Sequence, residues 1–75
     1  MNAARGDVDF VVDVMTRHRT WLAYSEIEAL HELERQAWAG RTFDEEQRVY
    51  IAQLIRRAED RRAMAISLSE REIRH

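Results

Sequence analysis

Hydrophobic residues recur every three or four positions through most of the chain, which is the spacing of amphipathic α-helices. The pattern predicts three helices, over residues 7–20, 26–39 and 43–66 or beyond. The sequence has no proline and only two glycines, so few residues interrupt a helical backbone. We therefore expect a single all-α domain over residues 1–75, built as an antiparallel helical hairpin with an added N-terminal helix.

The first segment allows two interpretations. Four of its apolar residues lie at alternate positions, as in a strand: Val8, Phe10, Val12 and Val14. A helix instead gathers a different set on one face: Val8, Val11, Val12 and Met15. No other segment could pair with a strand, so we expect a helix. Because Phe10, Val14 and Trp21 lie outside that face, the apolar surface is wide, and we expect contact with more than one neighbour.

Residue types between the second and third helices indicate where each one begins and ends. Ser25 and Glu28 have the spacing of a capping box, and so do Thr42 and Glu45 before the third helix. Gly40 follows the second helix, where a left-handed conformation costs glycine little. The Ala-Gly-Arg-Thr segment is therefore predicted to join two antiparallel helices and not to form a site.

The second and third helices each have one mainly apolar face. That of the second consists of Ile27, Leu30, Leu33, Ala37 and Trp38. That of the third consists of Gln47, Ile51, Leu54, Ile55, Ala58 and Ala65. Glu34 falls among the apolar residues of the second helix, and a buried carboxylate needs a partner. We expect that partner to be Arg48, across the joint.

A chain of 75 residues has difficulty in covering all of its apolar surface. It has no cysteine, which excludes disulfides and thiolate zinc sites, so a partner subunit is the expected supplement. Apolar residues also continue beyond the part of the third helix that a hairpin would cover. We predict a homodimer forming a helical bundle, and a partner-binding surface on the C-terminal helix at Arg57, Arg61, Met64, Leu68 and Ile73. The alternative is that this segment packs against the first helix.

Charge argues against a nucleic-acid-binding protein, which remains the second alternative. The formal net charge is −2, whereas nucleic-acid-binding domains are usually basic. Arg57 and Arg61, one helical turn apart, could contact phosphate, but acidic residues surround them. The joint also lacks the short recognition helix of a helix-turn-helix motif.

Metal binding is the first alternative function. Glu28 and His31 have the Glu-x-x-His spacing that ferritin-like di-iron bundles use twice, and a homodimer would supply the second motif by symmetry. Glu28 lies away from the apolar face, however, and the capping role already accounts for it. We therefore predict no metal and no cofactor.

No nucleophile motif and no phosphate-binding glycine loop occurs in the sequence, so we expect a protein without catalytic activity. The chain shows no signal peptide and no apolar run of membrane-spanning length, which predicts a cytoplasmic location. These features favour a small regulator, adaptor or inhibitor that binds another protein through its C-terminal helix. By analogy only, small acidic helical proteins of this kind occur as phage- or plasmid-borne inhibitors of host machinery.

Overall fold

A computed structural model describes the backbone of residues 3–73 and the side chains of residues 5–70. It contains three α-helices: α1 (Ala3–His18), α2 (Tyr24–Trp38) and α3 (Glu45–Ile73). A single 3₁₀ turn, Arg19–Trp21, follows α1. No strand occurs in this part of the chain, so the all-α prediction is confirmed and the first segment is a helix.

The hydrophobic core takes residues from all three helices and from both connecting segments. It consists of Val8, Val11, Val14, Leu22, Leu30, Leu33, Ala37, Phe43, Ile51, Leu54 and Ala58. The buried apolar residues of α2 and α3 belong to the faces that the apolar spacing predicts. Trp38 is an exception, because its side chain is largely exposed.

The buried face of α1 differs from the predicted one. Val14 is buried and Val12 is exposed, so the stripe follows a spacing of three residues from Val8 through Val11. Since α1 contacts both α2 and α3, the buried face is the one that lies towards both helices. The expectation that α1 touches more than one neighbour is confirmed.

The start of α2 corrects the first predicted capping box. The helix begins at Tyr24, and the Glu26 carboxylate accepts a hydrogen bond of 2.7 Å from the Ala23 backbone N–H. Ser25 and Glu28 are exposed residues inside the helix and do not cap it. Glu26 reaches back to the N-cap as the glutamate of a capping box does, although Ala23 has no side-chain oxygen to complete the exchange.

The end of α2 matches the prediction for Gly40. Its φ is +90°, in the left-handed region where a β-carbon would be strained. The Arg41 N–H donates to the Gln36 carbonyl at 3.1 Å, and the Gly40 N–H donates to the Ala37 carbonyl at 3.0 Å. This pair of bonds is a Schellman motif, which satisfies carbonyls that the end of the helix would leave unpaired.

The start of α3 corrects the second predicted capping box. Asp44 accepts a hydrogen bond from the Gln47 N–H at 2.8 Å, and Gln47 accepts one from the Asp44 N–H at 2.9 Å. The capping box is thus Asp44 and Gln47, not Thr42 and Glu45. The shift by two residues lets Phe43 stay outside the helix and enter the core, where its N–H donates to Asp7 of α1 at 2.8 Å.

Polar contacts between α2 and α3 differ from the predicted pair of Glu34 and Arg48. Arg48 lies 3.8 Å from Asp7 of α1, and Glu34 accepts a hydrogen bond of 3.2 Å from the Trp38 indole of its own helix. Glu34 keeps access to water at the edge of α2, so it needs no cation across the joint. Near the joint, the two helices are connected by a 3.0 Å hydrogen bond from Gln47 to Gln36.

Candidate protein-binding surface

The third helix extends well beyond the hydrophobic core. Ala58 is the last core residue of α3, and the helix continues to Ile73, which is about 22 Å at 1.5 Å per residue. Within the segment 59–70, which we call the C-terminal segment, Ala65 is partly buried and every other residue is exposed. The described part of the chain therefore leaves most of the C-terminal segment uncovered.

Large apolar side chains occur on the C-terminal segment although water surrounds it. Met64 is 67% exposed, Leu68 is 55% exposed and Ile66 is 48% exposed. Met64 and Leu68 lie one helical turn apart and border a shallow depression together with Asp60, whereas Ile66 points to a different face. The predicted residue Ile73 belongs to α3, but its side chain lies outside the described residues.

Arg57 and Arg61 form ion pairs with Glu26 that connect α3 to α2. Arg61 Nη1 donates to Glu26 Oε1 at 2.7 Å and to the Trp21 carbonyl at 2.8 Å, and Nη2 lies 3.4 Å from Glu26 Oε2. Arg57 Nη1 lies 3.6 Å from Glu26 Oε2. The arginines proposed from sequence as partner contacts thus already form ion pairs within the chain. Because Glu26 offsets their charge, they are also poorer phosphate ligands than the sequence alone suggests.

Glu26 is the buried charged residue of this cluster that the sequence interpretation missed. Glu26 is only 7% exposed, although its side chain ends in a carboxylate. Hydrogen bonding from Arg61 lowers its pKa, burial acts in the opposite direction, and the Ala23 N–H lowers the pKa further. A signal was available, because Glu26 precedes Leu30, Leu33 and Ala37 at helical spacing and so lies on the buried face of α2.

A second exposed surface lies on the N-terminal half of α3. Val49 is 50% exposed and Tyr50 is 36% exposed. They border a shallow depression with Glu46 and Gln53. This depression and the one beside Met64 lie on the same side of the helix, because their central residues are separated by alternating steps of four and three positions: Glu46, Tyr50, Gln53, Arg57, Asp60 and Met64. We call these six exposed residues the outer face of α3.

The candidate metal residues, Glu28 and His31, have no third ligand grouped with them among the described residues. Glu28 and His31 are exposed and line a surface groove with Arg19 and Arg35, whose positive charges oppose a divalent cation. His31 Nδ1 lies 3.5 Å from the Glu34 carboxylate. Over the described residues, no three His, Asp or Glu side chains are grouped closely enough to bind a metal ion.

A groove of about 330 Å³ separates α1 from α2 on the surface. Val12, Met15 and Ile27 form its apolar part, and Arg19, His31 and Glu34 are among its polar residues. Among the side chains that the structure describes, no buried nitrogen or oxygen lacks a hydrogen-bond partner. The groove therefore offers no unsatisfied buried polar group that would orient a small ligand.

No protein-family model matches the chain, and neither a curated protein nor a solved structure is significantly similar to it. Each helix in the region 3–73 is too short or too polar to cross a bilayer. The function has to be inferred from the residues themselves.

Proposed function

We propose that this protein is a non-catalytic protein-binding module, a small regulator, adaptor or inhibitor that binds its partner through the C-terminal segment of α3. The observation that carries the proposal is the exposure of Met64 and Leu68, which lie one turn apart on the part of α3 that extends beyond the core. Methionine is enriched at protein interfaces, and its flexible side chain adapts to irregular surfaces.

The proposal includes an antiparallel hairpin of α2 and α3. Its support comes from two contacts: Gln36 near the end of α2 bonds Gln47 near the start of α3, and Glu26 near the start of α2 bonds Arg61 farther along α3. Such a hairpin, with α1 against both helices, would fix the first half of α3. The second half would then continue from a helix that is already fixed, which lowers the cost of ordering it when a partner binds.

Met64 and Leu68, and not the two arginines, supply the binding free energy in this proposal. Transfer of one such side chain from water to an apolar contact contributes about 1.5–3 kcal/mol. Two of them give about 3–6 kcal/mol, whereas micromolar affinity needs about 8 kcal/mol. The remainder has to come from polar and apolar neighbours, so a transient complex is expected.

Site-specific photocrosslinking in the native cell tests this proposal. A photoreactive amino acid replaces Leu68 in one variant and Arg41, an exposed residue of the joint, in the control. We expect adducts to a different protein from position 68 only, and we expect Met64→Asp to abolish them while the α-helical circular dichroism persists.

Ile66→Asp is the matched substitution, because Ile66 is a similarly exposed apolar residue on another face. It should leave the adducts of position 68 intact. Equal adduct patterns from positions 68 and 41, or adducts that survive Met64→Asp, would contradict the proposal.

Neither alternative function has a favouring observation. The arginines around Glu28 and His31 oppose a dimeric metal site, and the ion pairs of Arg57 and Arg61 weaken the case for nucleic-acid binding. The absence of catalysis and the cytoplasmic location stay predictions from the sequence.

A further inference from the structure

The outer face of α3 has a self-complementary pattern. It contains Arg57 near its middle and Asp60 one turn later, with an apolar patch at each end. The patch towards the N-terminus is Tyr50 with its neighbour Val49, and the patch towards the C-terminus is Met64 with Leu68, which lies one turn beyond the six residues. All of these residues are exposed, and each patch borders one of the two depressions.

We infer that the outer face of α3 binds the same face of a second copy in antiparallel orientation, with the two-fold axis at the level of residues 58 and 59. This axis places Arg57 opposite Asp60 of the second copy, and the symmetry repeats the ion pair. It also places Gln53 opposite Met64, and Tyr50 beside Ser67 and Leu68. Tyr50 of one copy therefore contacts Leu68 of the other, while Met64 packs against Gln53.

Charge selects this orientation over a parallel one. A parallel pair in register would place Arg57 opposite Arg57 and Asp60 opposite Asp60, which are two like-charge contacts. Spacing by four and three residues is that of a helix–helix seam, and antiparallel pairing brings unlike positions of the repeat together. Arg57 can reach the second copy, because its side chain is 58% exposed and its ion pair with Glu26 is long, at 3.6 Å.

The size of the surface predicts a weak dimer. Six to eight residues a side is far fewer than the roughly 20–30 residues a side of a standard interface. Polar residues also occupy several seam positions. We expect a dissociation constant on the order of 10⁻⁵ M, so the mass in solution should rise from 8.9 kDa towards twice that value over this concentration range.

This inference rests on the proposed function, because it names a second copy as one protein that binds Met64 and Leu68. Dimerisation would cover both residues. A foreign partner would then have to compete with the second copy, and only the monomer would bind it.

Disulfide formation gives the sharpest test, since the natural chain has no cysteine. In Gln53→Cys/Met64→Cys the two thiols lie 11 residues apart on one helix, about 16 Å. A disulfide needs Cα atoms within about 7 Å, so only two copies can form it. We expect mild oxidation to convert this variant to a covalent dimer of twice 8.9 kDa.

The matched control is Gln53→Cys/Ile66→Cys, in which the second thiol lies on another face of the same helix. We expect it to stay at 8.9 kDa under the same oxidation, as should the single variant Gln53→Cys. Equal linkage of both double variants would overturn the inference. Efficient linkage of the single variant would also overturn it, because residue 53 would then lie beside its own copy, either in a parallel pair or in an antiparallel pair of another register.

Charge reversal supplies an independent test. Asp60→Arg places an arginine of each copy opposite Arg57 of the other, so that both ion pairs become like-charge contacts. We expect about a tenfold rise in the dissociation constant. Glu59→Arg makes the same charge change one residue away, off the outer face, and should leave the constant within about twofold. Equal effects of the two variants would contradict the proposed pairing.

The two proposals can fail separately. Adducts from position 68 to a foreign protein, without linkage of the Gln53→Cys/Met64→Cys variant, would overturn self-pairing and leave the proposed function standing. Linkage of that variant, with adducts from position 68 to the same chain alone, would support self-pairing and overturn the proposed function.

Discussion

Glu26 connects three parts of the chain through one carboxylate. It accepts the Ala23 N–H at the start of α2, and it binds Arg61 and Arg57 of α3. Arg61 also donates to the Trp21 carbonyl in the turn after α1. A carboxylate that is almost fully buried is tolerated because each of these groups replaces a lost bond to water.

Glu26→Gln should lower the stability of the fold. The amide keeps the shape but loses the charge, and it places donor hydrogens near the arginines. We expect the free energy of unfolding to fall by about 1–3 kcal/mol in urea denaturation at pH 7. Glu28→Gln, an exposed residue two positions later, should change it by less than about 0.5 kcal/mol. Equal losses would show that the Glu26 ion pairs contribute nothing.

The lowered pKa of Glu26 predicts an acid-sensitive contribution to stability. Because the folded state holds this pKa below its ordinary value of 4.5, the ionised carboxylate stabilises the fold above that pH, and the contribution is lost as the pH falls through the lowered pKa. The stability difference between the natural protein and Glu26→Gln should be constant from pH 7 to about pH 5 and shrink below 4.5. A difference that grows on acidification would contradict this assignment.

At the scale of the helices, the two ends of the joint show how local signals and packing compete. The Schellman motif at Gly40 follows from glycine's freedom at positive φ, a property of the residue itself. The start of α3 is set by Phe43, whose burial moves the cap to Asp44. Local spacing predicted a cap at Thr42 and Glu45, and only the position of the core shows that the cap is Asp44 and Gln47.

Asp44→Ala and Thr42→Ala distinguish these candidates. Asp44→Ala removes the side chain that caps α3 and should lower the free energy of unfolding by about 1 kcal/mol. Thr42→Ala changes the residue that the sequence favoured, and it should have an effect below about 0.5 kcal/mol. Thermal or urea denaturation measures both, and a larger loss from Thr42→Ala would contradict the observed start of α3.

The sequence predicted the helices and the buried apolar faces of α2 and α3 better than it predicted the face of α1 or the polar contacts. Periodicity identified Leu30, Ile51 and Leu54 as core because burial repeats with the helical turn. The partners of Glu34 and Arg48 depend on where a second helix passes, which no local pattern records. The sequence predicted only part of the candidate surface. Met64 and Leu68 are apolar residues beyond the predicted core and can be recognised locally. The structural role of Arg61 depends on Glu26, 35 residues away, which no local pattern shows.

At the scale of the whole molecule, the first half of α3 is packed in the core and the second half is exposed to water. The described chain measures 55 × 20 × 19 Å, which is longer than a compact bundle of its size because α3 continues past the core. Up to Ala58 the helix is held by α1 and α2. The C-terminal segment has few such contacts, although an isolated helix of this length is only marginally stable in water. Its exposed apolar residues are the basis of the proposal that this segment binds a partner.

The same substitution should destabilise the fold strongly at one leucine of α3 and hardly at all at another. Leu54 is fully buried, and Leu54→Ala should lower the free energy of unfolding by about 2–5 kcal/mol. Leu68 is exposed, and Leu68→Ala should change it by less than about 0.5 kcal/mol in dilute solution. A large loss from Leu68→Ala at a concentration where the protein is monomeric would show that its own chain covers this residue.

Hydrogen exchange along α3, measured on the dilute monomer and again at high concentration or with the partner, tests the central claim most directly. In the monomer we expect the amides of the C-terminal segment to exchange roughly a hundredfold faster than those of residues 51–58, because few tertiary contacts stabilise that part of the helix. Protection of the segment should then rise when a second copy or a partner binds. Equal and strong protection of both halves of α3 in the monomer would contradict the account, because it would mean that the chain itself covers Met64 and Leu68.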